Sequence, residues 1–276
     1  MIDASTELFG VTGYPVRHSL SPVFQNALIK WAGLNAVYLA FEVPPEELPA
    51  FVRFAKVNPV RGFNVTVPHK ETIVPLLDGL DETARRIGAV NTVKVENGKA
   101  YGYNTDWIGF LKSARGLLGR PLKGVKVLVL GAGGVAKAIL YALTREGAEV
   151  LLWNRTREKA LALAQKFPVR LVGSPEEGLK EAELVVNATS LGLKKDDPPI
   201  FDYALLRPGQ AVFDAVYGDT PLVREALRRG LKAADGLSML LWQGIESFFI
   251  WNGCRPPYET ARRAVEEYLA WRKRGS

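Results

Sequence analysis

Val125-Lys126-Val127-Leu128-Val129-Leu130-Gly131-Ala132-Gly133-Gly134-Val135-Ala136 organises half of this chain. VKVLVL is a nearly continuous apolar run. Such runs belong to strands buried on both faces, as in parallel sheets. The glycines follow at once and lead into a helical pattern that runs to about Glu146. A glycine turn between a buried strand and a helix lets the backbone bend sharply. It also lets a pyrophosphate approach free N–H groups at the positive end of the helix dipole. The run fits G-x-G-x-x-A, with Ala136 where helix–strand packing needs a small residue. Dinucleotide binding is the functional reading. A tight turn that binds nothing is the bland one.

Working outward, Glu149–Trp153 reads as the next strand and 157–166 as a helix. Strands near 169–172, 184–188, 211–215 and 231–234 and a helix at 221–229 follow. Strands alternating with helices predict a parallel, doubly wound sheet. Upstream the chain is also α/β. Leu8–Thr12, Val37–Val43 and Gly62–Val67 read as strands. Ser21-Pro22 is expected to open a helix with Ser21 as its cap. Asn97-Gly98 between Val90–Val95 and Lys99–Tyr103 is a strong hairpin signal. A helix is expected from Trp107 to about Leu118, and two more, near 237–251 and 257–273, return to the first domain. The expected division is therefore 1–103 with 238–276 as one domain and 104–237 as a Rossmann domain.

The chain has 276 residues, 47% of them apolar and 24% charged. This composition excludes disordered and low-complexity classes. One cysteine, Cys254, excludes a disulfide framework or a thiolate metal cluster within one chain, and two histidines, His18 and His69, do not suffice for HExxH. No metal is expected. The N-terminus lacks a basic flank and a signal-length apolar core, and Gly236–Trp251 is interrupted by polar residues, so a cytoplasmic chain without a membrane partner is expected. The formal net charge of +7 invites anionic partners. No basic run interleaved with aromatics appears, so nucleic acid is not expected.

An NAD site usually carries an acid about 20 residues beyond the glycines. Here the second strand ends in Asn154-Arg155-Thr156, followed by Arg157 and Lys159. A carboxylate would repel a 2′-phosphate, whereas a guanidinium offers it a planar fork. NADP is therefore the expected cofactor, with the glycine turn at its pyrophosphate and Arg155 and Lys159 near its 2′-phosphate. The bland alternative makes Arg155 and Lys159 ordinary surface charges.

Five segments place polar groups at strand or helix ends: Ser19–Pro22, Asn64–Lys70, Gly88–Thr92, Gly102–Asp106 and Trp242–Gly244. Together they suit a small polyhydroxylated acid. Reduction of a carbonyl also needs a proton donor. Lys70 is the candidate, with Asp106 to orient it or share the proton. Ser21 and Asp106 read equally well as helix caps, Lys70 alone as an exposed lysine, and Asn64 and Thr66 as ordinary strand ends.

SxSP at 19–22, NVTxPxK at 64–70, GAVNT at 88–92, GxNTD at 102–106, GAGG, NRT, Asn187–Ser190, Asp214–Tyr217, Asp235-Gly236-Leu237 and Gln243-Gly244 together resemble the shikimate dehydrogenase family nearly end to end. The resemblance implies reversible, NADP-dependent reduction of 3-dehydroshikimate to shikimate in aromatic amino-acid (chorismate) biosynthesis. It implies that Ser19 and Ser21 hold the substrate carboxylate. Thr66, Asn91 and Gln243, with Asn64 and Tyr217 close by, would meet the ring hydroxyls. Lys70 and Asp106 would form the catalytic pair, and Gly131, Ala132, Gly133, Gly134, Val135, Asn154, Arg155, Thr156, Arg157, Lys159, Thr189, Ala215 and Gly236 would line the cofactor site. Gln25-Asn26 departs from the family's frequent His-Asn, which predicts a packing difference. Weighed beside this reading are an NAD-using quinate/shikimate dehydrogenase, the two-domain methylenetetrahydrofolate dehydrogenases, and a non-catalytic NADP-binding regulator. A homodimer is compatible with the sequence.

Overall fold

The computed structural model describes residues 2–194 and 196–274. They form two compact units. One is Met1–Thr105 with Leu241–Ser276, the other Asp106–Leu240.

The first unit is built on strands β1 (Glu7–Gly13), β2 (Ala36–Glu42), β3 (Val60–Val65), β4 (Gly79–Leu80), β5 (Thr92–Glu96) and β6 (Lys99–Tyr103), in the order β2-β1-β3-β5-β6-β4. β5 alone runs against its neighbours. Its turn to β6 has φ of 51° at Asn97 and 71° at Gly98, the positive pair a two-residue hairpin needs. The unit's helices are α1 (Ser21–Trp31), α2 (Leu48–Val57), α3 (His69–Thr72) and α4 (Glu82–Ile87), with most of a later helix, Leu237–Asn252, and the last, Tyr258–Arg274. α2 covers one sheet face, where Phe51 meets Phe63 edge-on at 5.1 Å. On the other face Trp251 packs against Phe9 and Tyr38 and donates Nε1–H to Val93 O at 2.9 Å.

Ser21 is not the cap of α1. It is the first helical residue, Leu20 occupies the cap position, and no side chain caps there in the usual way. Ser19 Oγ instead accepts the Ser21 N–H at 3.2 Å. Proline at the second helical position still satisfies the rule that the first turn has no partner for that N–H. Gln25 is fully buried and donates to Gly244 O at 3.0 Å, so the departure at this position is a contact between two helices of the unit.

The second unit contains β7 (Lys126–Leu130), β8 (Glu149–Trp153), β9 (Arg170–Leu171), β10 (Leu184–Asn187), β11 (Ala211–Asp214) and β12 (Lys232–Ala234), all parallel, in the order β12-β11-β10-β7-β8-β9. This is the 3-2-1-4-5-6 order of a dinucleotide-binding sheet, with its switch point between β7 and β10. The helices are α5 (Asp106–Leu118), α6 (Gly134–Arg145), α7 (Arg157–Ala164), α8 (Pro175–Leu179) and α9 (Pro221–Arg228). Val127 and Val129 join the core beneath α5 and α6, while Leu128 and Leu130 join the opposite core with Leu222 and Ala226. Two covered faces are why β7 reads as an unbroken apolar run. The two C-terminal helices are α10 (Leu237–Asn252) and α11 (Tyr258–Arg274), and α11 packs along α1. Among the described residues no helix is long and apolar enough to cross a membrane.

Candidate active site

In the first unit the polar residues gather where β1, β3 and β5 end or begin. Asn91 is 2% exposed and its amide is tightly engaged. Nδ2 donates to Thr105 Oγ1 at 2.8 Å and to Gln243 Oε1 at 3.0 Å, while Oδ1 accepts Thr105 N–H at 2.7 Å. A segment before β5, the end of β6 and helix α10 are thus pinned together through one side chain. Val65 N donates to Asn91 O, which sets Thr66 beside this group, and Val90 N donates to Lys70 O at 2.8 Å. Lys70 rides on the single turn α3, half-buried, and this backbone bond holds the turn next to Asn91. His69, on the same turn, is fully buried with Nε2 2.7 Å from Val43 O. That contact ties the turn to the residue that follows β2.

Asn64 is engaged as fully as Asn91. Its Oδ1 accepts the Tyr38 hydroxyl at 2.8 Å, and its Nδ2 donates to Ser247 Oγ, Thr92 Oγ1 and Asn91 O at 3.0–3.2 Å. Every hydrogen-bonding atom of this amide has a protein partner. Thr92, Thr105 and Ser247 complete a buried hydroxyl cluster with mutual contacts of 2.7–3.3 Å. A buried polar network so fully satisfied rigidifies its surroundings. Burial pushes the Tyr38 hydroxyl well above its usual pKa, so it is a neutral donor. The motifs at 88–92 and 102–106 contain Thr92 and Thr105 without giving them a role, and nothing in the sequence analysis singles out Tyr38 or Ser247. One signal was available: Ser247 lies one helical turn beyond Gln243, on the same face.

In the second unit the glycine turn sits at the carboxyl end of β7. Gly131 has φ of 122°, and a Cβ there would lie 2.9 Å from the backbone of Ala188. Only glycine fits. Gly133 is the opposite case. It caps α6 in extended conformation, no side chain caps the helix, and an added Cβ would meet no protein atom within 4 Å. Space is held open before a twelve-residue helix whose first N–H groups have no side-chain cap, which fits a pyrophosphate.

Beyond β8, Asn154 Nδ2 donates to Thr156 O at 2.8 Å, shaping the loop before α7. Arg155, Arg157 and Lys159 are exposed. A recess lined by Trp153, Asn154, Arg155, Arg157 and Gly173 adjoins them. No acid stands at the strand end, so the residues fit a 2′-phosphorylated ribose. Thr189, Ala215, Tyr217 and Gly236 belong to this unit, and the last three lie on two tied segments. Gly236 N donates to Val216 O at 3.0 Å, and a Cβ on Gly236 would lie 2.3 Å from Ala215 O. Asp235 accepts from Gly218 N at 2.7 Å. Asp106, 4% exposed, is the first residue of α5 and carries its acid in the first turn, where the helix dipole favours it. Among the described residues, no group of three or more His, Cys, Asp or Glu could hold a metal ion.

A buried polar cluster in one unit and a glycine cradle at the switch point of the other define a dinucleotide-dependent oxidoreductase of two α/β domains. Three family descriptions match the chain: the shikimate dehydrogenase substrate binding domain over residues 11–93, shikimate/quinate 5-dehydrogenase over 113–193, and the shikimate 5′-dehydrogenase C-terminal domain over 236–266. The shikimate dehydrogenase (NADP(+)) of Aquifex aeolicus is 60% identical over 97% of this chain and 99% of its own. The crystal structure of the shikimate dehydrogenase from Aquifex aeolicus superposes with a TM-score of 0.94, at 60% identity over 96% of this chain and 99% of that one. The Thermus thermophilus shikimate 5-dehydrogenase, in complex with NADP(H) and shikimate, gives a TM-score of 0.85 at 43% identity, over 94% of this chain and 100% of that one. This chain belongs to the shikimate dehydrogenase family.

Proposed function

We propose that this chain catalyses the reversible, NADP-dependent reduction of 3-dehydroshikimate to shikimate, in the cytoplasm, as a step of aromatic amino-acid biosynthesis. The reading rests on one observation above the rest: the Asn91–Gln243 amide pair, locked at 3.0 Å beside the backbone of Lys70. An amide pair fixed before substrate arrives costs little ordering when it bonds a ring hydroxyl.

In this reading Met1–Thr105 with Leu241–Ser276 binds the acid and Asp106–Leu240 binds the cofactor. Ser19 and Ser21, at the start of α1, hold the carboxylate where the helix dipole favours an anion. Thr66, Asn91 and Gln243 bond the ring hydroxyls. Asn64, with its amide occupied by Tyr38, Ser247 and Thr92, orders this wall from behind. Bound NADPH supplies the hydride. Lys70 Nζ stabilises the negative charge growing on the carbonyl oxygen and gives that oxygen its proton. Asp106 is the second group of the catalytic pair. In the reverse direction the lysine, neutral at that moment, takes the hydroxyl proton. Gly131–Val135 cradle the pyrophosphate, and Arg155, with Asn154, Thr156, Arg157 and Lys159, receives the 2′-phosphate.

The test follows reduced-nicotinamide absorbance with shikimate and NADP, then with quinate or NAD substituted in turn. Turnover only with quinate, or equal turnover with NAD, would replace this reading with the quinate or NAD-using one.

A further inference from the structure

Asp214 ends β11 in the interior of the second unit, 1% exposed. Its Oδ1 accepts Asn187 Nδ2–H at 2.8 Å and Val216 N–H at 3.0 Å. Its Oδ2 is buried without a partner in hydrogen-bond geometry, although the Thr220 hydroxyl is close enough to favour its charge. A core needing only polar satisfaction would not choose a carboxylate with one bare oxygen, because burial penalises its charge. The group calls for a reason beyond folding.

The reason lies on the neighbouring strand. Asn187 ends β10 next to Asp214 on β11. Its Nδ2 also donates to Leu191 O at 3.0 Å, and its Oδ1 accepts both the N–H and the Oγ1–H of Thr189, at 2.9 and 2.7 Å. Thr189 Oγ1 in turn accepts Leu191 N–H at 3.1 Å. One amide therefore shapes the whole 188–191 segment, and it works in only one orientation. With the amide reversed, Nδ2 would face the two Thr189 donors and Oδ1 would face Leu191 O. An ionised carboxylate has acceptors only. Set against Asn187, it forces Nδ2 toward itself and so turns Oδ1 toward Thr189. Asparagine or serine at position 214 could donate as well as accept and would not impose that choice. Asp214 Oδ1, which accepts from Asn187, also accepts Val216 N–H, so the segment carrying Ala215 and Tyr217 is fixed from the same carboxylate atom.

We propose that Asp214 is a positioning residue that acts through Asn187 to hold Thr189 and its segment ready for the cofactor. The proposal rests on the reading that Thr189 lines the NADP site.

The experiment measures NADP⁺ and NADPH affinity of the full chain by titration without substrate, with hydrogen exchange at the Thr189 and Leu191 amides. Variants are Asp214→Asn, Asn187→Ala, the double variant and Thr189→Ala. The expected result is about a tenfold weaker affinity for Asp214→Asn and for Asn187→Ala, as befits one lost charge-assisted bond. The double variant should be no worse than Asn187→Ala, and exchange at Thr189 and Leu191 should rise in both single variants. Losses that multiply in the double variant would overturn the proposal, because the two residues would then act independently. Unequal losses for NADP⁺ and NADPH would overturn it in favour of a direct charge effect. Thr189→Ala separates the two levels. If it binds normally, the placement of the cofactor is wrong and the inference falls with it. If it binds weakly while Asp214→Asn binds normally, the inference alone fails. Should Asp214→Asn not fold, Asn187→Ala with its exchange pattern decides, since unchanged exchange and affinity there would refute the proposal equally.

Discussion

Replacing Asp214 by asparagine should make this protein more stable at neutral pH. Burial pushes the Asp214 carboxyl up to about 6 from an ordinary 3.8, against the pull of its contacts with Val216, Thr220 and Asn187, and the Asp235 charge adds to the rise. The sign follows from which state holds the proton more tightly. The folded state does, so between about 3.8 and 6 it binds more protons than the unfolded chain, and stability falls as pH rises through that window. Above it the loss is complete and level. At about 1.4 kcal/mol for each tenfold change in acidity, a rise from 3.8 to about 6 makes the ionised carboxylate cost roughly 3 kcal/mol at pH 7. Asparagine has the shape of the protonated acid and no charge to bury. The variant should therefore gain up to about 3 kcal/mol at about pH 7.5 and little near pH 4. The check is urea denaturation of both proteins at the two pH values, followed by circular dichroism, with midpoints compared at constant slope. Other carboxylates titrate alike in both proteins and cancel in the difference. An equal gain at both pH values would show that the charge is not the cause. A loss at the higher pH would refute the reasoning, because the carboxylate would then be a net source of stability. A variant that is stabler yet binds cofactor less well would be a trade of stability for function.

Four further outcomes are expected. Lys70→Ala should lower kcat by about 10²–10⁴-fold with little change in shikimate KM, read from steady-state rates; unchanged turnover would remove Lys70 from the chemistry. Arg155→Ala should weaken NADP by roughly 1.5–3 kcal/mol and leave NAD nearly untouched, by parallel titrations. Gly131→Ala should cost about 1–3 kcal/mol of stability, since it forces a side chain to φ of 122° against Ala188, whereas Gly133→Ala should hold its melting temperature and lose NADP affinity. Asn64→Ala should destabilise by about 1–3 kcal/mol, by stranding the Tyr38 hydroxyl in the core, and thermal melts would show it.

What could be read from the sequence divides along a physical line. Features written in neighbouring residues were legible: the two-faced burial of β7, the glycine turn, the Asn97-Gly98 hairpin and the alternation that fills the Rossmann sheet. Each depends on contacts a few residues apart. The order β2-β1-β3-β5-β6-β4 was not legible, because β5 slots antiparallel between β3 and β6 through pairings that no local period records. The single turn α3, which carries Lys70, is too short to show a helical period. Ser21 reads as a cap because serine before proline suits either side of a helix start, and the structure makes it the first helical residue, with Ser19 taking its N–H. Tyr38 reads as a core aromatic in a β-branched strand, and its hydroxyl acquires meaning only when Asn64, on another strand, arrives at 2.8 Å.

Charge shows the same division between local and assembled information. A surplus of seven positive charges gives a sign but no address. In the folded chain many arginines are paired with neighbours: Arg224 with Asp219, Arg228 with Glu225, Arg255 with Glu246, and Arg262 with Glu259 and Glu266. These are mostly exposed pairs, worth little to stability, but they neutralise the surfaces on which they lie. Arg155, Arg157 and Lys159 are exposed around the end of β8, where the strand lacks the acid that would repel a phosphate. Field strength at a site depends on charges left without local compensation, more than on the total. A chain of zero net charge with the same three cations at the end of β8 would be expected to choose NADP just as well. Raising ionic strength should accordingly weaken NADP binding much more than NAD binding, and an equal effect on both would place the discrimination elsewhere.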